Sequence, residues 1–340
     1  TTTLEGALAV AAAFLAEYTL QTIEQDYTSP QALALIWLVQ HPDFDTMADW
    51  RKQQLMGLAT FYYSTGGGET WSSKAEGYWM NADLPECFWH QLLACSTGGY
   101  FQGLEFIGEG LSGTLPAELS YLSRLTSLTL SQNHLVGGIA TELGGLPFMT
   151  HLDLGHNAIT GIIPHQFSQM TDLRSLQLQG NHLSGTIPSD LVDTMKNVAH
   201  VSLNDNLLTG ALPHDLDSWT NLEHLYIHNT WLTGNISEEL CDTMKWASVN
   251  CSFVTCTCTG CQCFEDSAGD FVTAAPTSAA GPGDGKHSNA TDPISDFSTG
   301  APTSAVVSNV TTFANLTTVT LPPVSLAGQS LEDNSSGLSL

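Results

Sequence analysis

Apolar positions recur with one long period through the middle of the chain. The segment LRSLQLQGNHLSGTIPSDL at 173–191 reads LxxLxLxxNxLxGxIPxxL, and related segments repeat it between 104 and 240. Two columns keep the same phase, in steps of 24 or 25 residues. They are Leu104, Leu128, Leu152, Leu176, Val201 and Leu225, and Glu109, Asn133, Asn157, Asn181, Asn206 and Thr230. Two columns in phase predict a stack of six similar turns.

Each repeat contains the signals of a short strand followed by a turn. The Leu-x-Leu pair predicts a strand with its apolar side chains inward, and the amide of the following Asn can bond the backbone of neighbouring turns. We therefore predict an α/β fold, a right-handed leucine-rich-repeat solenoid of about six 24-residue repeats with a short parallel concave sheet. Glu109 and Thr230 replace Asn in the end copies, where one neighbour is a cap.

Residues 29–99 predict a helical cap rich in Trp and Cys that covers the first repeat. One helix begins at Ser29-Pro30 and ends before Pro42, and a second runs from about Asp45 to Ser64. The second helix presents an apolar stripe, which a run of glycines at 66–68 ends. The open edge of the repeats requires such a cover.

The eight cysteines lie at the two ends of the repeats and predict disulfide-stapled caps in an oxidising compartment. They are Cys87, Cys95, Cys241, Cys251, Cys256, Cys258, Cys261 and Cys263. The last six allow about fifteen pairings, among which the sequence does not choose. The run CTCTGCQC also suggests a thiolate metal cluster, but disulfides are favoured and no metal is expected.

Asn-x-Ser/Thr motifs independently indicate the secretory route. The candidate glycosylation sites are Asn235, Asn250, Asn289, Asn309, Asn315 and Asn334. Residues 264–340 are rich in Ser, Thr, Ala, Gly and Pro, which predicts a disordered glycosylated tail after a Cys-rich cap at 241–263. Residues 1–28 predict a leader or anchor remnant, or else a cap helix, and the end of the chain lacks a lipid-anchor signal.

The repeat consensus resembles the plant-type extracellular class of leucine-rich repeats, found in receptor-like proteins and polygalacturonase-inhibiting proteins. Cys87, Trp89 and Cys95 match that family's cap motif C-x-W-x-G-V-x-C, although Gln91 replaces its glycine and the second cysteine comes one residue late. We expect Cys87 and Cys95 to pair. Residues 31–263 also resemble secreted or membrane-tethered repeat proteins of diatoms and related algae. The resemblance implies the fold and an extracellular or cell-surface location, and it names no ligand.

Charge and motifs argue against several classes of function. The formal net charge is −26 with only eight Lys plus Arg, so nucleic acid and other polyanions are poor partners. No nucleophile-elbow serine, phosphate loop or kinase signature is present. We therefore expect no enzymatic activity and no cofactor.

The outward positions of the predicted concave strands form the candidate ligand-binding surface, since aligned strands place them in rows about 4.8 Å apart. These positions are polar and contain few charges. The candidate contact residues are His151, Asp153, Gln177, Gln179, His200, Asn204, His224, Tyr226 and His228. His200 and His224 fall on adjacent strands, where solvated histidines are the ordinary interpretation and a weak metal or pH-responsive patch is the alternative.

These features predict an extracellular recognition or adhesion module that binds a protein, peptide or glycan on its concave face, in a receptor-like setting. One alternative is an inhibitor of a secreted hydrolase, for which the acidic surface favours a basic partner. Another is a structural wall or matrix protein in which the tail and its glycans act. A membrane contact would come only from an anchor near the start of the chain, and the sequence leaves the oligomeric state open.

Overall fold

A computed structural model describes residues 28–72, 77–89 and 94–264. The predicted leader or anchor and the predicted tail fall almost entirely outside these ranges. So do the motifs at Asn289, Asn309, Asn315 and Asn334. Within the described ranges, no helix is long and apolar enough to cross a membrane.

Two helices form most of the N-terminal cap. Helix α1 spans Pro30–Val39, with the Ser29 hydroxyl accepting a hydrogen bond from the Ala32 amide at its start. Helix α2 spans Asp49–Ser64 and begins four residues later than the apolar stripe predicts. A turn precedes it, in which the amides of Thr46 and Met47 both donate to the carbonyl of Asp43. Ala48 is then extended (φ −64°, ψ 146°), so the helix begins only after it.

A nine-stranded sheet runs the length of the repeats, and we call it the concave sheet. Its first pair is antiparallel and all later pairs are parallel. The strands are β1 (Ala94–Cys95), β2 (Phe101–Glu105), β4 (Ser127–Thr129), β6 (His151–Asp153), β8 (Ser175–Gln177), β10 (His200–Ser202), β12 (His224–Tyr226), β14 (Trp246–Val249) and β16 (Cys261–Cys263). The sheet thus continues past Leu240, where the predicted repeats end, into the cysteine-rich segment.

A second, seven-stranded parallel sheet, which the repeat pattern did not predict, follows the turns. Its strands are β3 (Ser112–Thr114), β5 (His134–Gly137), β7 (Ala158–Ile162), β9 (His182–Gly185), β11 (Leu207–Ala211), β13 (Trp231–Ile236) and β15 (Val254–Cys256). The glycine of each L-x-G motif lies in this sheet with a positive φ, for example 84° at Gly161 and 89° at Gly210. Glycine adopts that conformation at little cost, which explains its place in the repeat.

Short helical segments complete the turns opposite the concave sheet. They are the 3-10 helices Ala117–Tyr121, Thr141–Gly145, His165–Gln169 and Leu216–Ser218, and the α-helices α3 (Ser189–Thr194) and α4 (Glu238–Cys241). Three of them follow an extended proline, at Pro116, Pro164 and Pro188. Proline suits this position because it has no amide hydrogen that would need a partner. A further 3-10 helix, Glu86–Phe88, lies in the N-terminal cap.

The asparagine column binds each turn to the one before it. The side-chain oxygen of Asn181 accepts from the amide of Ile159 at 3.0 Å, and its nitrogen donates to the carbonyls of Leu154 and Leu178 at 2.9 and 3.1 Å. Equivalent bonds occur at Asn133, Asn157 and Asn206. Asn181 is only 4% exposed. The backbone groups at the turns are therefore satisfied by side chains rather than by water.

The end copies lack this asparagine because their neighbours are not repeats. Glu109 binds the N-terminal cap, where its carboxylate accepts from the Ser72 hydroxyl and its carbonyl accepts from the Ser72 amide at 2.7 Å. Thr230 donates to the carbonyl of Ile227 in its own turn at 2.6 Å. Glu109 thus bonds to the cap, whereas Thr230 bonds within its own turn.

Aromatic packing joins the N-terminal cap to the first repeat. Phe106, on the first turn, has its ring 5.0 Å from Trp71 and 5.6 Å from Trp79, measured between centroids. Buried Gln54 of α2 accepts from the Phe101 amide at 2.8 Å, which fixes the helix to β2. The predicted cover of the open edge is thus present.

Four disulfides join the eight cysteines. Cys87 pairs with Cys95, as the family resemblance implies. The C-terminal pairs, which the sequence left open, are Cys241–Cys258, Cys251–Cys263 and Cys256–Cys261. The sulfur atoms of Cys256, Cys258 and Cys261 lie within 4.8 Å of one another, but all three are bonded in disulfides. A thiolate metal cluster is therefore not compatible with this oxidised arrangement.

We predict that Asn181→Ala lowers the free energy of unfolding by about 2–4 kcal/mol, because it leaves buried backbone groups without partners. Urea unfolding with the disulfides intact measures this loss. The control is Asn197→Ala, which removes an exposed amide bonded to the Thr171 carbonyl and should cost less than about 1 kcal/mol. Equal losses for the two variants would contradict the structural role of the column.

Candidate ligand-binding face

The strand register places the nine candidate contact residues along one face of the concave sheet. His151, Ser175, His200 and His224 are successive partners in one row. Asp153, Gln177, Ser202 and Tyr226 form the next row. Gln179, Asn204 and His228 continue beyond the strand ends. His151 and His200 are exposed, and the other seven candidates are half-buried.

The C-terminal half of this face contains an aromatic group. The His200 and His224 rings are 4.8 Å apart between centroids and nearly parallel, with 10° between their planes. The Tyr226 ring lies 6.3 Å from His224 and is tilted by only 2°. Trp246 on β14 is the next residue in the row after His224 and is 39% exposed. We call these four residues the aromatic ledge.

Sequence reasoning missed Trp246 because it assigned residues 241–263 to the cap. Ala247, which pairs with Leu225, follows it by 22 residues and breaks the 24-residue step. A usable signal exists in WASV, since the apolar residues Ala247 and Val249 alternate with Trp246 and Ser248. The alternation of a short strand therefore persists where the repeat length does not.

Several side chains in the N-terminal half of the face form hydrogen bonds within the chain. The Asp153 carboxylate accepts from the Gly155 amide at 2.9 Å, and the Gln177 amide donates to the Ser175 hydroxyl at 3.1 Å. The buried side-chain oxygen of Gln179 has no hydrogen-bond partner among the described residues. The His151 ring is held by the Thr150 hydroxyl at 2.8 Å.

His228 lies at the far end of the face in a different environment. Its ring stacks on Phe264 at 4.1 Å, its Nδ1 lies 2.6 Å from the Ser248 hydroxyl, and its Nε2 lies 3.9 Å from the Asp205 carboxylate. This Asp-His-Ser order resembles a hydrolase relay. Ser248, however, is 1% exposed, so no substrate reaches its hydroxyl without rearrangement. The contacts instead fix the end of the concave sheet.

Beside the face, one turn position has a left-handed backbone in every repeat. Its φ angles lie between 51° and 66° at Gly108, Gln132, His156, Gly180, Asp205 and Asn229. The Asp205 carboxylate stabilises this turn by accepting hydrogen bonds from the side-chain amides of Asn204 and Asn229, at 2.5 and 2.6 Å. At Gly180 a Cβ atom would come 2.6 Å from Nδ1 of His156. Glycine there leaves room for the neighbouring ring, whereas the conformation itself is also adopted by other residue types.

The surroundings of His224 disfavour a positive charge on its ring. Burial lowers the pKa of His224 below its ordinary 6.5, and the nearby His200 lowers it further. Glu223, the residue before His224, forms an ion pair with Lys245 at 2.8 Å. That ion pair lowers the pKa of Glu223 and balances its charge. The ledge at neutral pH is therefore a polar aromatic surface beside a compensated ion pair.

The two glycosylation motifs within the described residues have opposite environments. Asn235 is exposed on β13 of the second sheet, away from the concave face. Asn250 is 3% exposed, and its side-chain oxygen accepts from the Ser252 amide at 3.0 Å. Asn235 remains a predicted glycan site, whereas the folded chain gives Asn250 no room for one.

Comparisons with known proteins agree with this architecture. The leucine-rich-repeat family matches residues 123–183 and again residues 221–243. "Protein MALE DISCOVERER 2" of Arabidopsis thaliana is 47% identical over 58 residues, which is 17% of this chain and 8% of that protein. The crystal structure of a pollen receptor kinase 3 superposes with a TM-score of 0.50 at 22% identity, covering 63% of this chain and 99% of the other.

A further similar structure is that of the plant peptide hormone receptor RGFR1 in complex with RGF2. It has 34% identity and a TM-score of 0.41, over 44% of this chain and 25% of that one. The chain thus spans only a small part of this receptor and of the Arabidopsis relative. The repeats, the two parallel sheets and the two model matches show that the chain contains a leucine-rich-repeat solenoid.

We predict that His228 makes the fold sensitive to acid. Burial lowers the pKa of His228 below 6.5, and Asp205 offsets this only in part. His228 therefore binds a proton at a higher pH in the unfolded chain than in the folded chain. Hence the free energy of unfolding falls as the pH drops through about 6.5 towards the folded pKa.

Urea midpoints at about pH 7.5 and about pH 5 test this prediction. His228→Gln should lose less stability between the two pH values than the parent chain. His182→Gln, which changes an exposed imidazole on the second sheet, should behave like the parent. An unchanged pH dependence in His228→Gln would contradict the assignment.

Proposed function

We propose that the chain is a non-enzymatic recognition module that binds a polypeptide segment on its concave sheet, at the aromatic ledge. The observation that carries the proposal is the contiguous arrangement of His200, His224, Tyr226 and Trp246 on a rigid, regularly spaced scaffold. Aromatic side chains with polar edges supply large contact areas at a low cost in conformational entropy. The surrounding Ser, Gln and Asn side chains supply hydrogen bonds to a ligand backbone.

The charge of the module restricts the ligand. The outward rows of the described concave strands contain Glu105 and Asp153 but no Lys or Arg, and the whole chain has a formal charge of −26. An acidic ligand would be repelled and would find no base to pair with on this face. The proposed ligand is therefore an uncharged or basic peptide.

The proposed setting is the cell exterior. Four disulfides and the exposed motif at Asn235 support an oxidising compartment with access to glycosylation. In this proposal residues 29–99 and 241–263 are caps, and residues 100–240 are the repeats. Residues 264–340 form a glycosylated spacer, and residues 1–28 are a leader or anchor remnant or a cap helix.

Two tryptophans of nearly equal exposure allow a matched test. Trp246 on the concave sheet is 39% exposed and Trp231 on the second sheet is 40% exposed. Peptides are selected from a random display library on the immobilised chain, and their affinities for Trp246→Ala and Trp231→Ala are compared. We expect Trp246→Ala to weaken binding by about tenfold or more and Trp231→Ala to leave it unchanged.

Tyr226→Ala should resemble Trp246→Ala, since both remove rings from the same patch. Equal losses in the two tryptophan variants, or a loss only in Trp231→Ala, would contradict binding at the ledge. If selection yields no peptide and a glycan array gives saturable binding, the ligand class proposed here is wrong.

A further inference from the structure

The repeat register brings two imidazoles together at equivalent positions of adjacent parallel strands. His200 on β10 pairs with His224 on β12, and their rings lie 4.8 Å apart. The preceding partner in this row is Ser175 and the following one is Trp246, so the pair is bounded by residues without an imidazole. Two nitrogen-bearing rings therefore share one small area of the concave face.

The nitrogens of these rings are not used by the fold. Within the described residues neither side chain forms a hydrogen bond, and Nδ1 of His224 is buried with no partner. His151 and His228 on the same face differ, because hydroxyl groups lie 2.8 and 2.6 Å from their Nδ1 atoms. A buried polar atom without a partner is uncommon in proteins and calls for an explanation.

We propose that His200 and His224 form a two-imidazole site for a divalent transition-metal cation. Two imidazoles on one ion place their donor nitrogens about 3 Å apart, at about 2.0–2.1 Å from the metal. Histidine rings rotate readily about the Cβ–Cγ bond, so one nitrogen of each ring reaches that separation from the stacked arrangement. Water completes the coordination. Nitrogen donors bind Cu²⁺ most strongly among the common divalent ions, and Zn²⁺ less strongly.

The overall charge of the chain favours a cation at its surface. The Glu223 carboxylate acts on both histidines and is compensated by Lys245 at 2.8 Å. The strongly acidic chain also raises the cation concentration at its surface. This site does not depend on the proposed peptide ligand.

Calorimetric titration of the full chain with Cu²⁺, in a non-coordinating buffer at about pH 7.5, tests the proposal. His200→Phe and His224→Phe keep an aromatic ring for stacking but remove the donor nitrogens. We expect one saturable site in the parent chain and an affinity about tenfold or more weaker in each variant, because the second imidazole no longer acts within the same molecule. His182→Phe, which changes an exposed histidine of the second sheet, should leave the affinity unchanged.

The electron paramagnetic resonance spectrum of the Cu²⁺-loaded parent should show coupling to two imidazole nitrogens, and each variant should lose one of them. Urea midpoints equal to that of the parent show that the variants fold. Equal affinities in the parent and both ledge variants would overturn the site. So would the absence of saturable heat in the parent, or a spectrum without imidazole nitrogen coupling.

Discussion

The hydrogen bonds of the asparagine column are the constraint on which the rest of the structure depends. Each of Asn133, Asn157, Asn181 and Asn206 satisfies backbone groups of its own turn. Each also satisfies backbone groups of the turn before it. A turn that follows a left-handed residue exposes amides and carbonyls that neither sheet can pair. The asparagine side chain replaces water there, so consecutive turns must stack in one register.

That register in turn builds the candidate binding face. Because each strand repeats the one before it, residues at equivalent positions form rows, and the row at His200 and His224 becomes a ledge only when its neighbours are aligned. The caps protect this arrangement at its ends. Phe106 lies under the cap tryptophans, and the disulfides Cys241–Cys258 and Cys251–Cys263 hold the other end.

Much of this could be predicted from the sequence because the repeat is periodic. The fold, the inward leucines and the outward position of His224 all follow from counting residues. Features that do not follow the 24-residue repeat could not be predicted in this way. Trp246 lies on the face because β14 begins earlier along the chain than the 24-residue period predicts. The C-terminal disulfide pairs depend on how three short strands fold together. The stacking of His200 on His224 is a choice of rotamer, which spacing alone does not determine.

Hydrogen exchange of the backbone amides bonded to the asparagine column tests the central claim most directly. The donors are the amides of Leu111, Leu135, Ile159 and Leu183, at 2.9 to 3.1 Å from the side-chain oxygens. If the column holds the turns together, these four amides exchange as slowly as those of the adjacent concave strands. Exchange at the rate of an exposed turn, while the strand amides stay protected, would contradict the account.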